Sequence, residues 1–361
     1  MKTQTLRFLL LIALVFSLLT PTTPAHAAGL AVNSLLDTVA VDGNCTLREA
    51  IINANNNAAT NADCAAGSGW DVITFSVSGT ITLASALPTI TAAGGELTIN
   101  GSGQTITISG NNTVHALSVV SSASLILNSL TIANSSSATS AGGIYSAGTL
   151  TITDSTFSDN SAGAAAGGGI SNVSGTLTVT NSTFSGNSAG SAGGGIYTNG
   201  GTATITNSTF SGNSASTGGG GIYIGGGTLT ITNSTFSGNS ASTGGGIARG
   251  SAGTVTLRNT IVANSTSGGD CSGTVTDGGN NIVEDNTCGF SGGADPNLGA
   301  LTGSPAYFPL NSGSPAIDAG DDTVCANPPV NNESQNGVTR PQGAHCDIGS
   351  FELGRAIVVN S

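Results

Sequence analysis

The feature that most limits what this chain can become is a repeat with a period near 26 residues. Phe157, Phe184, Phe210 and Phe236 stand 27, 26 and 26 residues apart, and Ile144, Ile170, Ile196, Ile222 and Ile247 stand 26, 26, 26 and 25 apart. One copy reads Gly193-Gly194-Gly195-Ile196-Tyr197, then Thr202-Ala203-Thr204-Ile205-Thr206, then Ser208-Thr209-Phe210, three β-compatible pieces divided by Gly, Asn and Ser. Each piece is too short for a helix, and a unit of this size cannot bury an apolar face alone. Stacking the copies as coils answers both problems, because each strand then pairs in parallel with its counterpart in the next coil. The expected fold is all-β, a right-handed parallel β-helix of roughly 26 residues per coil.

Side-chain alternation assigns the faces. In Leu229-Thr230-Ile231-Thr232 the apolar residues must point inward and the threonines outward. Asp154, Asn181, Asn207, Asn233 and Asn259 keep register, as do Asn160, Asn187, Asn213 and Asn239, and both series are expected to form polar ladders between coils. That register favours a structural role over glycosylation for the Asn-Ser-Thr triplets at Asn181, Asn207 and Asn233. No proline lies between Pro88 and Pro296, as strands that need every ladder hydrogen bond require. The 55 glycines show no three-residue period, which excludes a collagen-like chain.

The flanks read differently. Lys2 and Arg7 precede a short apolar run from Phe8 to Leu19, and Ala25-His26-Ala27 offers small residues for cleavage, so residues 1–27 are expected to be an export signal. Residues 28–69 are expected to cap the first coil, with Thr46 and Glu49 as a capping box and Leu47, Ala50, Ile51 and Ala54 on one helical face. The coils are expected over 70–300. A Pro-rich region, 301–361, follows, and its Cys325 to Cys346 loop is expected to seal the last coil. All six cysteines lie outside the central repeats, and neighbour pairing gives Cys45 with Cys64, Cys271 with Cys288, and Cys325 with Cys346. Zinc is the rival, but no CxxC or HxxxH spacing occurs, so neither a metal nor a cofactor is expected.

Removing the signal would leave five basic against 19 acidic side chains, a balance that excludes nucleic-acid binding by charge. Catalysis by a β-helix on polysaccharide would need paired carboxylates, or a base with a cation or arginine. Between Leu97 and Ala248 only Asp154 and Asp159 are charged, and Asp154 occupies a slot that Asn fills in the following coils. A second catalytic candidate is the segment holding Arg249, Arg258, Asp270, Asp277, Glu284 and Asp285, whose alternative is a solvated rim. Asp318, Asp321 and Asp322 could hold calcium but read better as an acidic turn.

Three motifs extend the reading. Cys45-Thr46-Leu47-Arg48-Glu49-Ala50-Ile51, followed by Asp71-Val72-Ile73-Thr74-Phe75, resembles the CSLREA-type amino-terminal motif of bacterial surface β-helix proteins, with Thr46 in place of the usual serine. The GGGI and FxxN signals, as in Gly193 to Ile196 and Phe210 to Asn213, are similar to repeats of polymorphic outer-membrane proteins and of pectin-lyase-like β-helices. Ser314-Pro315-Ala316-Ile317-Asp318-Ala319-Gly320, with Arg340-Pro341 and Cys346-Asp347-Ile348-Gly349-Ser350-Phe351-Glu352, resembles the choice-of-anchor Q surface proteins. These resemblances imply an exported, envelope-associated or secreted β-helix. Such proteins usually continue into an anchor, whereas this chain stops at Ser361 with no transmembrane run, so release or loose surface retention is expected.

The sequence therefore points to a non-enzymatic surface or adhesion protein that meets an extracellular glycan or cell-surface partner. Tyr145, Tyr197 and Tyr223 follow inward-facing isoleucines and must point outward in a shared slot, which makes them the candidate binding residues. Two alternatives accompany this reading: a polysaccharide lyase or glycoside hydrolase, and an ice-binding array formed by the Thr-x-Thr rows of Thr151-Ile152-Thr153, Thr178-Val179-Thr180, Thr204-Ile205-Thr206 and Thr230-Ile231-Thr232.

Overall fold

The computed structural model describes residues 28–290 and 293–354, so the expected signal over 1–27 lies outside the described residues. The chain is a right-handed parallel β-helix. Among the described residues, parallel sheets of fourteen, nine and four strands run along the stack. The repeated residues sit in ladder register: Ile144, Ile170, Ile196, Ile222 and Ile247 pair in turn, as do Phe157, Phe184, Phe210 and Phe236.

Several coils carry a strand beyond the three expected pieces. One coil comprises Ile144–Ser146, Thr149–Thr153, Thr156–Ser158 and a fourth, two-residue strand, Ser161–Ala162. Small residues hid that fourth strand in the sequence, although Ala162 is fully buried. Further along, the first two strands fuse into single strands, Ile196–Thr206, Ile222–Thr232 and Ile247–Arg258.

The core is a set of like-on-like columns. The four phenylalanines stack with ring centroids 4.8, 4.9 and 4.5 Å apart and are fully buried. Burying each such side chain contributes roughly 1.5–3 kcal/mol. The glycine run before each isoleucine is a packing requirement: a Cβ on Gly195 would lie 2.6 Å from the Gly221 carbonyl oxygen and 3.1 Å from the Phe210 ring.

The two asparagine series do different work, which corrects the expectation of two ladders. Asn160, Asn187, Asn213 and Asn239 are fully buried, and each amide donates to the next Oδ1 at 2.9 Å along the series. The same amides reach inward backbone carbonyls, as Asn213 does to Phe184 at 2.9 Å. Asp154, Asn181, Asn207, Asn233 and Asn259 instead turn a corner at φ 50, 50, 48, 47 and 46°, a left-handed region that Asn and Asp tolerate best among residues with a Cβ. The side-chain Oδ1 atoms of Asn181, Asn207 and Asn233 are buried without a partner, so they form no ladder.

At the amino end the helix Leu47–Asn56 has the expected capping box, with the Glu49 carboxylate accepting from the Thr46 amide at 3.0 Å. Leu47, Ala50, Ile51 and Ala54 join the core. The sheet begins earlier than the boundary at residue 70, because Ala28–Val32 pairs in register with Asp71–Phe75. The inserted helix sets these partners 43 positions apart, which masks the 26-residue period. All three disulfides join neighbouring cysteines: Cys45 to Cys64, Cys271 to Cys288, and Cys325 to Cys346.

The carboxy-terminal region departs most from expectation. Its Cys325 to Cys346 loop does not plug the last coil; Cys271, Cys288 and Phe290 belong to the core there. The tail folds back along the flank of the nine-stranded sheet. Gln335 donates to Thr183 Oγ1 at 2.9 Å and accepts from Thr209 at 2.6 Å, and Thr235 Oγ1 accepts from the Ser350 amide at 3.0 Å. Outward-facing Ile261 packs with Leu310, Ala316 and Ile348 in a second small core. Arg340 organises the tail from a fully buried position, pairing with Glu352 at 3.1 Å and donating to the carbonyls of Asp347 and Gly349 at 2.7 Å each.

Candidate functional site

The tyrosine slot is built as alternation dictates. Tyr145, Tyr197 and Tyr223 are half-buried on the outer surface of the first sheet, each beside an isoleucine that is fully buried. Tyr197 and Tyr223 are ladder partners, and their rings stack with centroids 5.6 Å apart and planes within 3°. Burial, with the neighbouring Tyr223 adding to it, raises the Tyr197 hydroxyl above its ordinary range. Tyr145 is not brought into the stack, because Ser171 stands between it and Tyr197 in the ladder. The stacked rings turn their faces toward one another. They therefore offer solvent their edges and hydroxyls, with the open face of Tyr197 turned toward Ser171. Tyr307 lies elsewhere, tilted against Phe351 within the tail.

The threonine rows hold register and Thr151, Thr178, Thr204 and Thr230 are all half-buried, but the outer row, the second threonine of each triplet, is not open along its length. Thr153 and Thr180 are half-buried, whereas the tail leaves Thr206 and Thr232 1% and 3% exposed. Half of the outer row is therefore closed to an ice surface.

The charged segment separates into local functions. Asp270 is buried and Asp285 lies beside it; the Asp270 amide donates to Asp285 at 2.9 Å and the Asp285 amide to Asp270 at 3.2 Å. Burial pushes the Asp270 carboxyl up to about 6, with the Asp285 charge adding and a Ser265 hydrogen bond opposing. Burial opposes charge on Asp285 too, but hydrogen bonds from Thr287 outweigh it and lower this carboxyl. Asp277 accepts from Gly279 and Asn281, and Glu284 accepts from the Asn264 amide. Among the described residues none of these acids pairs with Arg249 or Arg258, and Arg249 donates instead to the Gly253 carbonyl. The triplet Asp318, Asp321 and Asp322 also serves the fold. Asp321 caps the helix Asp322–Ala326, and Asp322 accepts from His345 and the Cys346 amide. No group of three potential metal-binding side chains occurs among the described residues.

A polar groove went unrecognised in the sequence. Where the tail leaves the solenoid flank, two adjoining clefts of about 470 and 500 Å³ share Asp154 and Gly337 in their walls. The sequence places Asp154 and Glu333 179 positions apart, and only the back-folded tail brings both to one cleft.

The chain matches the family model described as "Right handed beta helix region" over residues 194–295, a description that covers both enzymes and non-enzymes. No curated protein and no solved structure matches it.

Proposed function

We propose that this chain is an exported, non-enzymatic β-helix that recognises extracellular polymers or cell-surface glycans through its tyrosine slot. The observation that carries the reading is the stacked pair Tyr197 and Tyr223, half-buried on the outer face of coils whose phenylalanines are fully buried in the core. Two tyrosines held rigid by the ladder lose little conformational freedom on binding, and each offers an apolar edge beside a hydroxyl. A repeated scaffold suits weak contacts made many times along one polymer, where linked binding events raise avidity without new contacts. Among the described residues no helix is long and apolar enough to cross a membrane.

The test is a glycan array run beside a polysaccharide-degradation screen on the chain from Ala28 onward. Binding to one or more polymers without chain shortening supports the reading. Cleavage of any bound polymer, or no binding to polymers and cell surfaces alike, contradicts it.

A further inference from the structure

We infer a second binding site, separate from the tyrosine slot: the groove between the back-folded tail and the solenoid flank, built to take a cationic, hydroxyl-rich polymer of the amino-sugar class. The groove crosses several coils, since the corner residues Ser129, Asp154 and Asn181 belong to consecutive coils and all line it. Successive corners are therefore spaced by about 4.8 Å, the strand separation, a distance comparable with the rise of one pyranose unit. Its far wall is the tail, through Ser304 and the stretch from Asn332 to Thr339.

The chemistry of the walls selects the ligand. Hydroxyls and amides dominate, and among the described residues no Lys, Arg, His or aromatic side chain lines either cleft. Asp154 and Glu333 are exposed on opposite walls of one cleft, and among the described residues neither carboxylate has a hydrogen-bond or ion-pair partner. Asn181 stands on the same wall as Asp154, one coil on. The groove is thus rich in unused acceptors and carries two uncompensated negative charges on a chain of net charge −12. A uronate polymer would be repelled, whereas protonated amines flanked by hydroxyls would satisfy both the charges and the acceptors. Asp154 also has a meaning within the repeat: it puts a carboxylate at the corner where the next four coils carry Asn, at the coil that the tail faces across the cleft.

Titration calorimetry of the chain from Ala28 onward would use a partly de-N-acetylated chito-oligosaccharide, its fully acetylated counterpart, an oligogalacturonate and an oligolysine of matched charge. The expected result is binding of the first probe alone, weakened about tenfold by Asp154→Asn and by Glu333→Gln, as for loss of a charge-assisted contact. Asp154→Asn installs the residue already present at this corner in later coils, so it keeps the fold. Changing Tyr145, Tyr197 and Tyr223 to Ser should leave this affinity unchanged, which separates this site from the tyrosine slot. Equal affinity in the Asp154 and Glu333 variants, equally tight oligolysine or oligogalacturonate binding, or no binding of the chito-oligosaccharide would each overturn the inference.

Discussion

Arg340 shows how one side chain can hold a region together. It is fully buried, its charge faces Glu352 and Asp347, and burial brings its pKa down to about 10. Replacing it with Met would strand both acids in a desolvated site. The expected cost is about 3–5 kcal/mol, the range for breaking a buried pair from one side, read as a lower urea midpoint for tail unfolding. Asp270 gives a pH signature of definite sign. Its folded-state pKa of about 6 lies above the ordinary 3.8, so its contribution is fully present below about 4 and is lost as pH rises through 6. Asp270→Asn should therefore raise the melting temperature at pH 8, with the gap closing at pH 4. A gap that widens on acidification would contradict this account. The sequence marked Asp270 as a member of a charged segment and Arg340 as part of a motif, but neither structural role was legible there, because burial decides both and burial is a property of the packed tail and loop.

At the scale of the coil, the two asparagine series make separable predictions. Asn213→Ala removes one link of the inner ladder and takes a buried partner from the Asn187 backbone and side-chain amides and from the Phe184 carbonyl, while Asn239 Oδ1 keeps the Asn213 backbone amide as a donor. Each orphaned group costs about 1–3 kcal/mol, so a loss of several kcal/mol is expected in thermal or urea unfolding. Asn181→Gly keeps the left-handed corner and should cost less than about 1 kcal/mol, whereas Asn181→Val should cost more, since a β-branched residue is strained at φ 50°. Similar losses for Asn213→Ala and Asn181→Gly would erase the distinction. The columns of Phe157 and Ile144 were readable because like residues recur at one period. The two asparagine series recur just as regularly, and period alone cannot tell an inward ladder from a left-handed corner. The strand Ser161–Ala162 was unreadable for the opposite reason: Ser and Ala carry no apolar pattern to detect.

For the whole molecule, the back-folded tail decides which surfaces remain open. Thr131, Thr156, Thr183, Thr209 and Thr235 form one outward column in strict register, yet the tail buries the last three and leaves the first two half-buried. The buried three follow Asn-Ser and the other two do not, but nothing local says what covers them; their partners, Gln335 and Ser350, lie 126 or more residues away. Long-range docking of this kind creates the groove and leaves the tyrosine slot on another face untouched. The central functional claim is that the slot binds, and binding by a well-folded Tyr145, Tyr197 and Tyr223 triple Ser variant tests it most directly. With secretion and melting matched to the parent chain, the account expects loss of adhesion to cells or to the polymers that the parent chain retains. Undiminished binding by that variant would contradict it.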